Sequence, residues 1–180
     1  MTVAVLPGDV LVTRSGGLAG AMIRLGAALK DQLNLSNHVA VVDHADASGT
    51  LWCVEGRPGG VGWRDAKAYL ASPWTVTNAG QPKTADQRKT VCDTMTAMIG
   101  TAYDWQAIAD DTLRAFHMDD LFSSTINGSV PGHVVCSSFA AFLYKTYGWD
   151  HPNVPDRDCE PGDWTAFDLA HGWNVKLTAP

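Results

Sequence analysis

Two short apolar runs in the first half of the chain place the strongest constraint on the fold. Residues 38–43 (HVAVVD) and 50–55 (TLWCVE) are rich in β-branched and aromatic side chains, and the segment between them contains polar turn residues and a glycine. This pattern predicts an antiparallel hairpin. With strands of equal length, the hairpin places His38 directly opposite Glu55 at its open end.

The remaining segments predict a mixture of strands and helices. Strands are predicted at residues 10–13, 74–77 and 173–177, helices at residues 18–29, 65–71, 84–99, 103–116, 136–147 and 164–170, and a glycine- and proline-rich loop at residues 56–62. Because strands concentrate in the first half and helices lie among and after them, the order predicts an α+β fold. A chain of 180 residues predicts one domain, spanning residues 1–180.

Charge and hydropathy disfavour several functional classes. The net charge is -6 and no cluster of lysine and arginine is present, which disfavours nucleic-acid binding. No apolar run approaches the roughly eighteen residues that a transmembrane helix needs. The first residues lack the basic and apolar regions of a signal peptide, which predicts a cytoplasmic protein by default. Association with a phage, or export without a cleaved signal, remains an open alternative.

One of the four cysteines lies where a nucleophile is expected. Cys136 directly precedes a serine pair and the apolar stripe of a helix, so its sulfur is predicted at a helix N-terminus, where unpaired N–H groups and the helix dipole favour the thiolate. Cys53 and Cys92 lie in apolar patterns and are predicted core residues, whereas Cys159 lies among acids that disfavour a thiolate. A buried structural cysteine is the alternative for Cys136.

A cysteine nucleophile needs a base, and the base needs a group that orients it. His38 begins an apolar strand and Glu55 ends the next one, so the predicted hairpin brings the two side chains together. An acid at the end of an apolar strand is unusual for packing alone. A solvated histidine and a solvated glutamate at strand ends are the alternative interpretation.

Several short blocks, taken in order, resemble the circularly permuted NlpC/P60 superfamily, and in particular its YiiX-like branch. The blocks are GDVL at residues 8–11, SNHVAVV at residues 36–42, VEG at residues 54–56, GTAYDW at residues 100–105, CSSF at residues 136–139 and PGD at residues 161–163. The resemblance implies a permuted papain-like fold with a small antiparallel sheet packed against helices. It implies that Cys136 is the nucleophile, His38 the general base and Glu55 the residue that orients the histidine.

The same resemblance implies the remaining parts of a thiol hydrolase. Tyr103 matches a tyrosine near the family's active cleft and is a candidate oxyanion donor, and Asn37 and Ser137 are further candidates for contact with substrate or oxyanion. No cofactor and no metal are implied. The implied activity is hydrolysis of an amide bond, in a peptide or peptidoglycan fragment, through a thiol acyl-enzyme. Hydrolysis or transfer of an acyl ester from a lipid is the alternative chemistry.

Two further classes compete with the enzyme. His133 and Cys136 have a spacing that permits metal binding together with His38 or Cys159, although a second closely spaced pair is missing. The seven tryptophans are compatible with a non-catalytic binding or virion-associated module. The joint presence of the cysteine, the histidine and the glutamate favours the enzyme.

Overall fold

The computed structural model describes residues 4–14, 16, 21, 36–103, 133–154, 159–173 and 175–176. Within these ranges the strands are Val10–Thr13 (β1), His38–Ala45 (β2), Leu51–Arg57 (β3), Gly60–Asp65 (β4), Val76–Thr77 (β5), Ala102–Tyr103 (β6), His133–Val134 (β7) and Val175–Lys176 (β8). The helices are Lys67–Leu70 (α1), Ala85–Ala97 (α2), Cys136–Thr146 (α3) and Pro161–Ala170 (α4).

An antiparallel sheet forms the centre of the molecule. Its strand order is β4-β3-β2-β1-β5-β8, and β6 and β7 form a separate short parallel pair. The predicted strands at residues 10–13, 38–43 and 50–55 are confirmed as β1, β2 and β3. The predicted α+β fold with a small antiparallel sheet is therefore confirmed.

Alternate residues of the sheet face two apolar clusters. One face packs against α2 and α3 and includes Val39, Val41 and Val54. The opposite face carries a smaller cluster that includes Cys53 and Tyr69. The prediction of a core position is confirmed for Cys53, which is fully buried, whereas Cys92 on α2 is only partly buried.

The predicted loop at residues 56–62 is wrong. Strand β3 continues to Arg57, a two-residue turn follows, and β4 begins at Gly60, which pairs with Arg57. Glycine is required at Gly60 because its φ is 106° and a Cβ there would lie 2.8 Å from the carbonyl oxygen of Thr101. Glycines lower the strand propensity of this segment, and the tertiary contact that requires Gly60 leaves no local pattern in the sequence. The strand was therefore not predicted.

Helix α2 begins as its sequence predicts. The N–H of Gln87 donates to the hydroxyl oxygen of Thr84 at 3.2 Å, and the N–H of Thr84 donates to the side-chain oxygen of Gln87 at 2.8 Å. This reciprocal capping box satisfies two donors that the first helical turn leaves unpaired.

Two predicted helices lie wholly or mainly outside the described residues. These are the helix at residues 18–29 and, apart from its first residue, the helix at residues 103–116. Tyr103 itself belongs to strand β6, so a helix that includes Tyr103 is wrong. In the part of the chain that the structure describes, no helix is both long and apolar enough to cross a membrane.

Candidate active site

Cys136 is the first residue of helix α3, as its sequence context predicts. Val135 precedes it in an extended conformation, and the Val135 N–H donates to the hydroxyl oxygen of Ser138 at 3.0 Å. The intrahelical ladder begins with the N–H of Phe139, which donates to the Val135 carbonyl oxygen. The N–H groups of Cys136 and Ser137 precede that ladder, so they are donors at the positive end of the helix.

The start of α3 inserts where strands β2 and β3 separate. The last described pair of that ladder is Val41 with Val54, and beyond it the Val39 N–H hydrogen-bonds to Cys136. Gly56 allows this approach, because a Cβ at Gly56 would lie 3.4 Å from the backbone nitrogen of Cys136. The thiol therefore lies at the end of the sheet, next to β2.

His38 and Glu55 form a buried contact beside the thiol. Nε2 of His38 lies 2.7 Å from Oε2 of Glu55, and the same oxygen accepts a hydrogen bond from the Tyr69 hydroxyl at 2.5 Å. The His38 and Tyr69 ring centroids are 5.7 Å apart. Because Glu55 occupies Nε2, the nitrogen that His38 has left for Cys136 is Nδ1.

The contact between His38 and Glu55 does not arise from the predicted register. The predicted direct opposition of these two residues is wrong, since Val41 pairs with Val54 and Val42 with Cys53. Extending that register leaves Glu55 diagonal to His38 and on the same face. The turn is not symmetrical, and an irregularity between Val42 and His44 shifts the pairing again. Diagonal neighbours of this kind remain within reach of long side chains.

Two arginines complete the surroundings of Glu55. Nε of Arg57 lies 2.6 Å from Oε1 of Glu55, and Nε of Arg64 lies 3.3 Å from the same oxygen. Burial alone raises the pKa of the Glu55 carboxyl, but the hydrogen bond and charge of His38, the Tyr69 hydroxyl and the Arg57 charge outweigh it and hold the pKa below its ordinary value. Glu55 is therefore ionised although it is fully buried.

The thiol and the imidazole shift each other's pKa in opposite directions. Burial lowers the pKa of His38, but the charge and hydrogen bond of Cys136 and those of Glu55 reverse this and raise it to about 9. Burial raises the pKa of Cys136, but the charge and hydrogen bond of His38, with the Val39 N–H, bring it below its ordinary value. Both shifts favour the thiolate and the imidazolium over the neutral pair.

The other site candidates occupy different positions. Ser137 is buried, and its hydroxyl donates to the carbonyl oxygen of Cys159, so this side chain joins the start of α3 to the segment before α4. Asn37 is buried, and its N–H donates to the carbonyl oxygen of Thr13 at 3.0 Å. Tyr103 is buried in β6, paired with Val134, two residues before Cys136.

Three of the residues that meet here are predicted by the sequence, and three others are not. The structure joins Cys136, His38 and Glu55, as predicted. It adds Tyr69, Arg57 and Arg64, which all contact Glu55. Arg57 carried a weak signal, since it lies two residues after Glu55 and so on the same strand face. Tyr69 and Arg64 carried none, because their contacts depend on how β4 and α1 fold back.

The fold and this site define the class of protein: an α+β fold in which buried cysteine, histidine and glutamate side chains contact one another in that order. No protein-family model matches the chain, and no curated protein sequence matches it. A solved structure, that of the metalloprotein yiiX from Escherichia coli O157:H7, is similar with a TM-score of 0.53 and 15% sequence identity, over 96% of this chain and 86% of that chain. The chain therefore has a YiiX-like fold.

The described residues do not fit a metal centre at this site. Among them, no group of three or more histidine, cysteine, aspartate or glutamate side chains could hold a metal ion. Glu55, the carboxylate beside the thiol, already contacts His38, Tyr69 and two arginines, and the arginine charges oppose a cation there. The metal alternative built on His133 and Cys136, with His38 or Cys159, gains no support from the side chains that the structure describes, and that of His133 is not among them.

Proposed function

We propose that this chain is a cysteine-dependent hydrolase of amide bonds, a permuted papain-like enzyme of the NlpC/P60 type. The observation that carries the proposal is the buried line from Cys136 through His38 to Glu55, in which a helix-start thiolate faces an imidazolium held by an ionised carboxylate. Nucleophile, base and orienting group thus occur in one contiguous arrangement. YiiX-like topology supports the proposal at the level of the fold.

The chemistry follows from the ion pair. The Cys136 thiolate attacks the carbonyl carbon of the bound amide, and the carbonyl electron pair moves to the oxygen, which becomes an oxyanion. The N–H groups of Cys136 and Ser137 at the start of α3 are the donors available to that oxyanion. His38 then gives its Nδ1 proton to the leaving nitrogen, the carbon–nitrogen bond breaks, and a thioester remains on Cys136.

Hydrolysis of the thioester uses the same groups in reverse. A water molecule loses a proton to His38 and attacks the thioester carbon, the carbon–sulfur bond breaks, and a carboxylic acid leaves. The Cys136 thiolate and the His38 imidazolium are then restored. Glu55 holds the ring throughout and stabilises its positive charge. An ester, or an acyl acceptor other than water, would pass through the same thioester.

The first test is the reactivity of each cysteine across pH. Iodoacetamide labelling between about pH 5 and pH 9, read by mass spectrometry, is expected to modify Cys136 fastest below pH 7, and His38→Ala is expected to slow it at least about ten-fold. A small reagent is needed because Cys136 is only 3% exposed. Cys92 is the internal reference, since burial and the neighbouring Asp43 raise its pKa to about 12.

A panel of peptide amides and matched esters then tests turnover. We expect an acyl adduct on Cys136 with the amides, and complete loss of turnover in Cys136→Ala but not in Cys92→Ala. If Cys136 reacts no faster than Cys92, the cysteine is structural and the chain is a binding module on a hydrolase-like fold. If only the esters turn over, the amide specificity is wrong and the thiol mechanism stands.

A further inference from the structure

Two hydrogen bonds join the start of α3 to the segment at residues 159–164. The Ser137 hydroxyl donates to the carbonyl oxygen of Cys159, and Nε1 of Trp164 donates to the carbonyl oxygen of Ser137 at 3.4 Å. Ser137 is almost fully buried and Trp164 is fully buried, so both contacts are shielded from water. The residue that follows the nucleophile is therefore held through its side chain and its main chain at once.

The segment at residues 159–164 is itself fixed by hydrogen bonds and packing. The N–H of Glu160 donates to Oδ2 of Asp163 at 2.7 Å, and the N–H of Asp163 donates to the carbonyl oxygen of Glu160 at 3.0 Å. The ring of Trp164 packs edge-on against Tyr144, with the ring centroids 5.0 Å apart. Because these contacts fix the start of α4, the segment can hold a neighbouring residue in place.

The N–H of Ser137 is a donor that the fold leaves unused. It precedes the first intrahelical bond, which the N–H of Phe139 makes to Val135. Within the described part of the chain no atom accepts a hydrogen bond from it, although Ser137 is buried. A buried N–H without an acceptor costs free energy unless a ligand or water pairs with it. The Ser137 N–H is thus a fixed donor next in sequence to the nucleophile.

We infer that Ser137 and Trp164 are positioning residues, which hold the Ser137 N–H toward the oxyanion that forms when Cys136 is acylated. The inference rests on the proposed function and extends it, because it assigns the segment at residues 159–164 a role in acyl transfer and none in forming the thiolate. A donor stabilises a developing oxyanion strongly when it is in place before the charge appears. A hydroxyl and an indole that hold Ser137 from two directions supply that preorganisation.

Two reactions of Cys136 separate the oxyanion from the thiolate. Iodoacetamide alkylates the sulfur by displacement of iodide, a step without an oxyanion. p-Nitrophenyl acetate acylates it: the thiolate attacks the carbonyl carbon, the carbonyl electron pair moves to oxygen and returns as the ester bond breaks, and p-nitrophenolate leaves without needing a proton. Mass spectrometry identifies each adduct on Cys136, and Cys136→Ala is the blank. The ratio of the acylation rate to the alkylation rate therefore reports the oxyanion donors independently of the thiolate.

Ser137→Ala tests the contact of the side chain. Alanine is a good helix former, so the variant is expected to fold. We expect its acylation rate to fall about ten-fold while its alkylation rate stays within about two-fold of the wild-type rate. Thr146→Ala is the matched control, because the Thr146 hydroxyl donates to the carbonyl oxygen of Phe142 on the exposed side of the same helix.

Trp164→Phe and Trp149→Phe form a second matched pair. Both indoles pack edge-on against Tyr144, with ring centroids 5.0 and 4.8 Å away. Trp164 donates from Nε1 to Ser137, whereas Nε1 of Trp149 has no hydrogen-bond partner among the described residues. Trp164→Phe is expected to lower the acylation rate about three- to five-fold, and Trp149→Phe to change it by less than about two-fold.

Each outcome decides between the two proposals. If Ser137→Ala lowers both rates by the same factor, or leaves both unchanged, the positioning role is wrong and the thiol mechanism stands. If the ratio falls as far in the control variants as in Ser137→Ala and Trp164→Phe, the effect is one of packing and the inference is wrong. If wild-type Cys136 is alkylated rapidly but never acylated, the assignment of the Ser137 N–H as an oxyanion donor is overturned. If Cys136 is alkylated no faster than Cys92, the proposed function is wrong and this inference falls with it.

Discussion

Oε2 of Glu55 lies 2.7 Å from Nε2 of His38, with the carboxylate fully buried and the imidazole almost so. The same carboxylate accepts the Tyr69 hydroxyl and pairs with Arg57, so its position is fixed from several sides. Because the Glu55 carboxylate is held in place, it holds the His38 ring in place. The ring then directs its Nδ1 to Cys136. The start of the helix favours the thiolate form of Cys136. The counter-charge of the thiolate is the His38 imidazolium, which the contact with Glu55 supports.

The pKa of His38 provides a direct test of the ion pair. Nuclear magnetic resonance titration of the imidazole protons is expected to give a value of about 9 in the wild-type chain. In Cys136→Ser we expect the pKa to fall, because the thiolate that raises it is lost while burial still lowers it. Cys92→Ser is the control and should leave the His38 titration where it was.

The raised pKa of His38 also determines how this residue makes the stability of the chain depend on pH. A histidine whose pKa is raised by folding contributes stability that is fully present below its unfolded value and is lost as the pH rises through its folded value. The His38 contribution alone would be lost between about pH 6.5 and pH 9, but in the ion pair Cys136 has released a proton while His38 has bound one, so the two contributions offset each other in this range. Identical titrations of His38 in the wild-type chain and in Cys136→Ser would contradict the ion pair.

Glu55→Gln is expected to slow alkylation of Cys136 near neutral pH and to lower the pKa of His38, because the negative charge that supports the imidazolium is removed. The change also leaves two arginines without their carboxylate. Since both guanidinium groups reach solvent, we expect a loss of only about 1–2 kcal/mol in the free energy of unfolding. Urea unfolding and iodoacetamide labelling measure the two effects separately.

Asp93→Asn serves as the reference for Glu55→Gln. Asp93 forms an exposed ion pair with Lys89 on α2, and its loss is expected to change stability by less than about 0.5 kcal/mol. Cys136 reactivity should be unaffected in this variant. A Glu55→Gln protein that labels at the wild-type rate would show that Glu55 neither orients nor charges His38.

Tyr69→Phe removes the hydroxyl that donates to Glu55 at 2.5 Å. We expect a cost of about 1–2 kcal/mol in stability, because the acceptor is a buried carboxylate, together with slower labelling of Cys136. Tyr147→Phe is the matched control, since the Tyr147 hydroxyl contacts Thr94, away from the site. Equal effects of the two substitutions on labelling would mean that Tyr69 does not position the Glu55 carboxylate.

The buried carboxyl of Asp168 leads us to expect a pH dependence of stability that is independent of the candidate active site. Burial raises its pKa to about 7 against the attraction of Lys83 and His171, and neither carboxyl oxygen has a hydrogen-bond partner in the described part of the chain. A carboxyl whose pKa is raised by folding contributes stability below its unfolded pKa that is lost as the pH rises toward its folded pKa. The wild-type chain should thus become less stable between about pH 4 and pH 7.

Asp168→Asn removes this ionisation. We expect the variant to exceed the wild-type chain in stability by about 2–4 kcal/mol at pH 8, and the difference to shrink toward pH 4. Urea unfolding at the two pH values measures it, with the exposed Asp86→Asn as the control. A difference between variant and wild type that does not change with pH would show that Asp168 does not ionise as inferred.

The strands and the helix that form the site could be predicted from local patterns in the sequence. The apolar runs that became β2 and β3 were readable because β-branched residues cluster there. The position of Cys136 at the start of α3 was readable because the helical stripe and the small polar residues before it are adjacent in sequence. Patterns of this kind depend only on neighbouring residues.

The arrangement of these elements was decided by tertiary structure. The register of β2 and β3 depends on an irregularity near Val42, and strand β4 depends on the approach of Gly60 to Thr101. The carboxylate of Glu55 gathers Tyr69 and Arg64 from segments that the sequence does not connect to it. The sequence alone therefore determined which residue could be a nucleophile and which histidine could serve it. Only the folded chain decided what holds that histidine, because those contacts join strands and a helix that meet only after the sheet has formed.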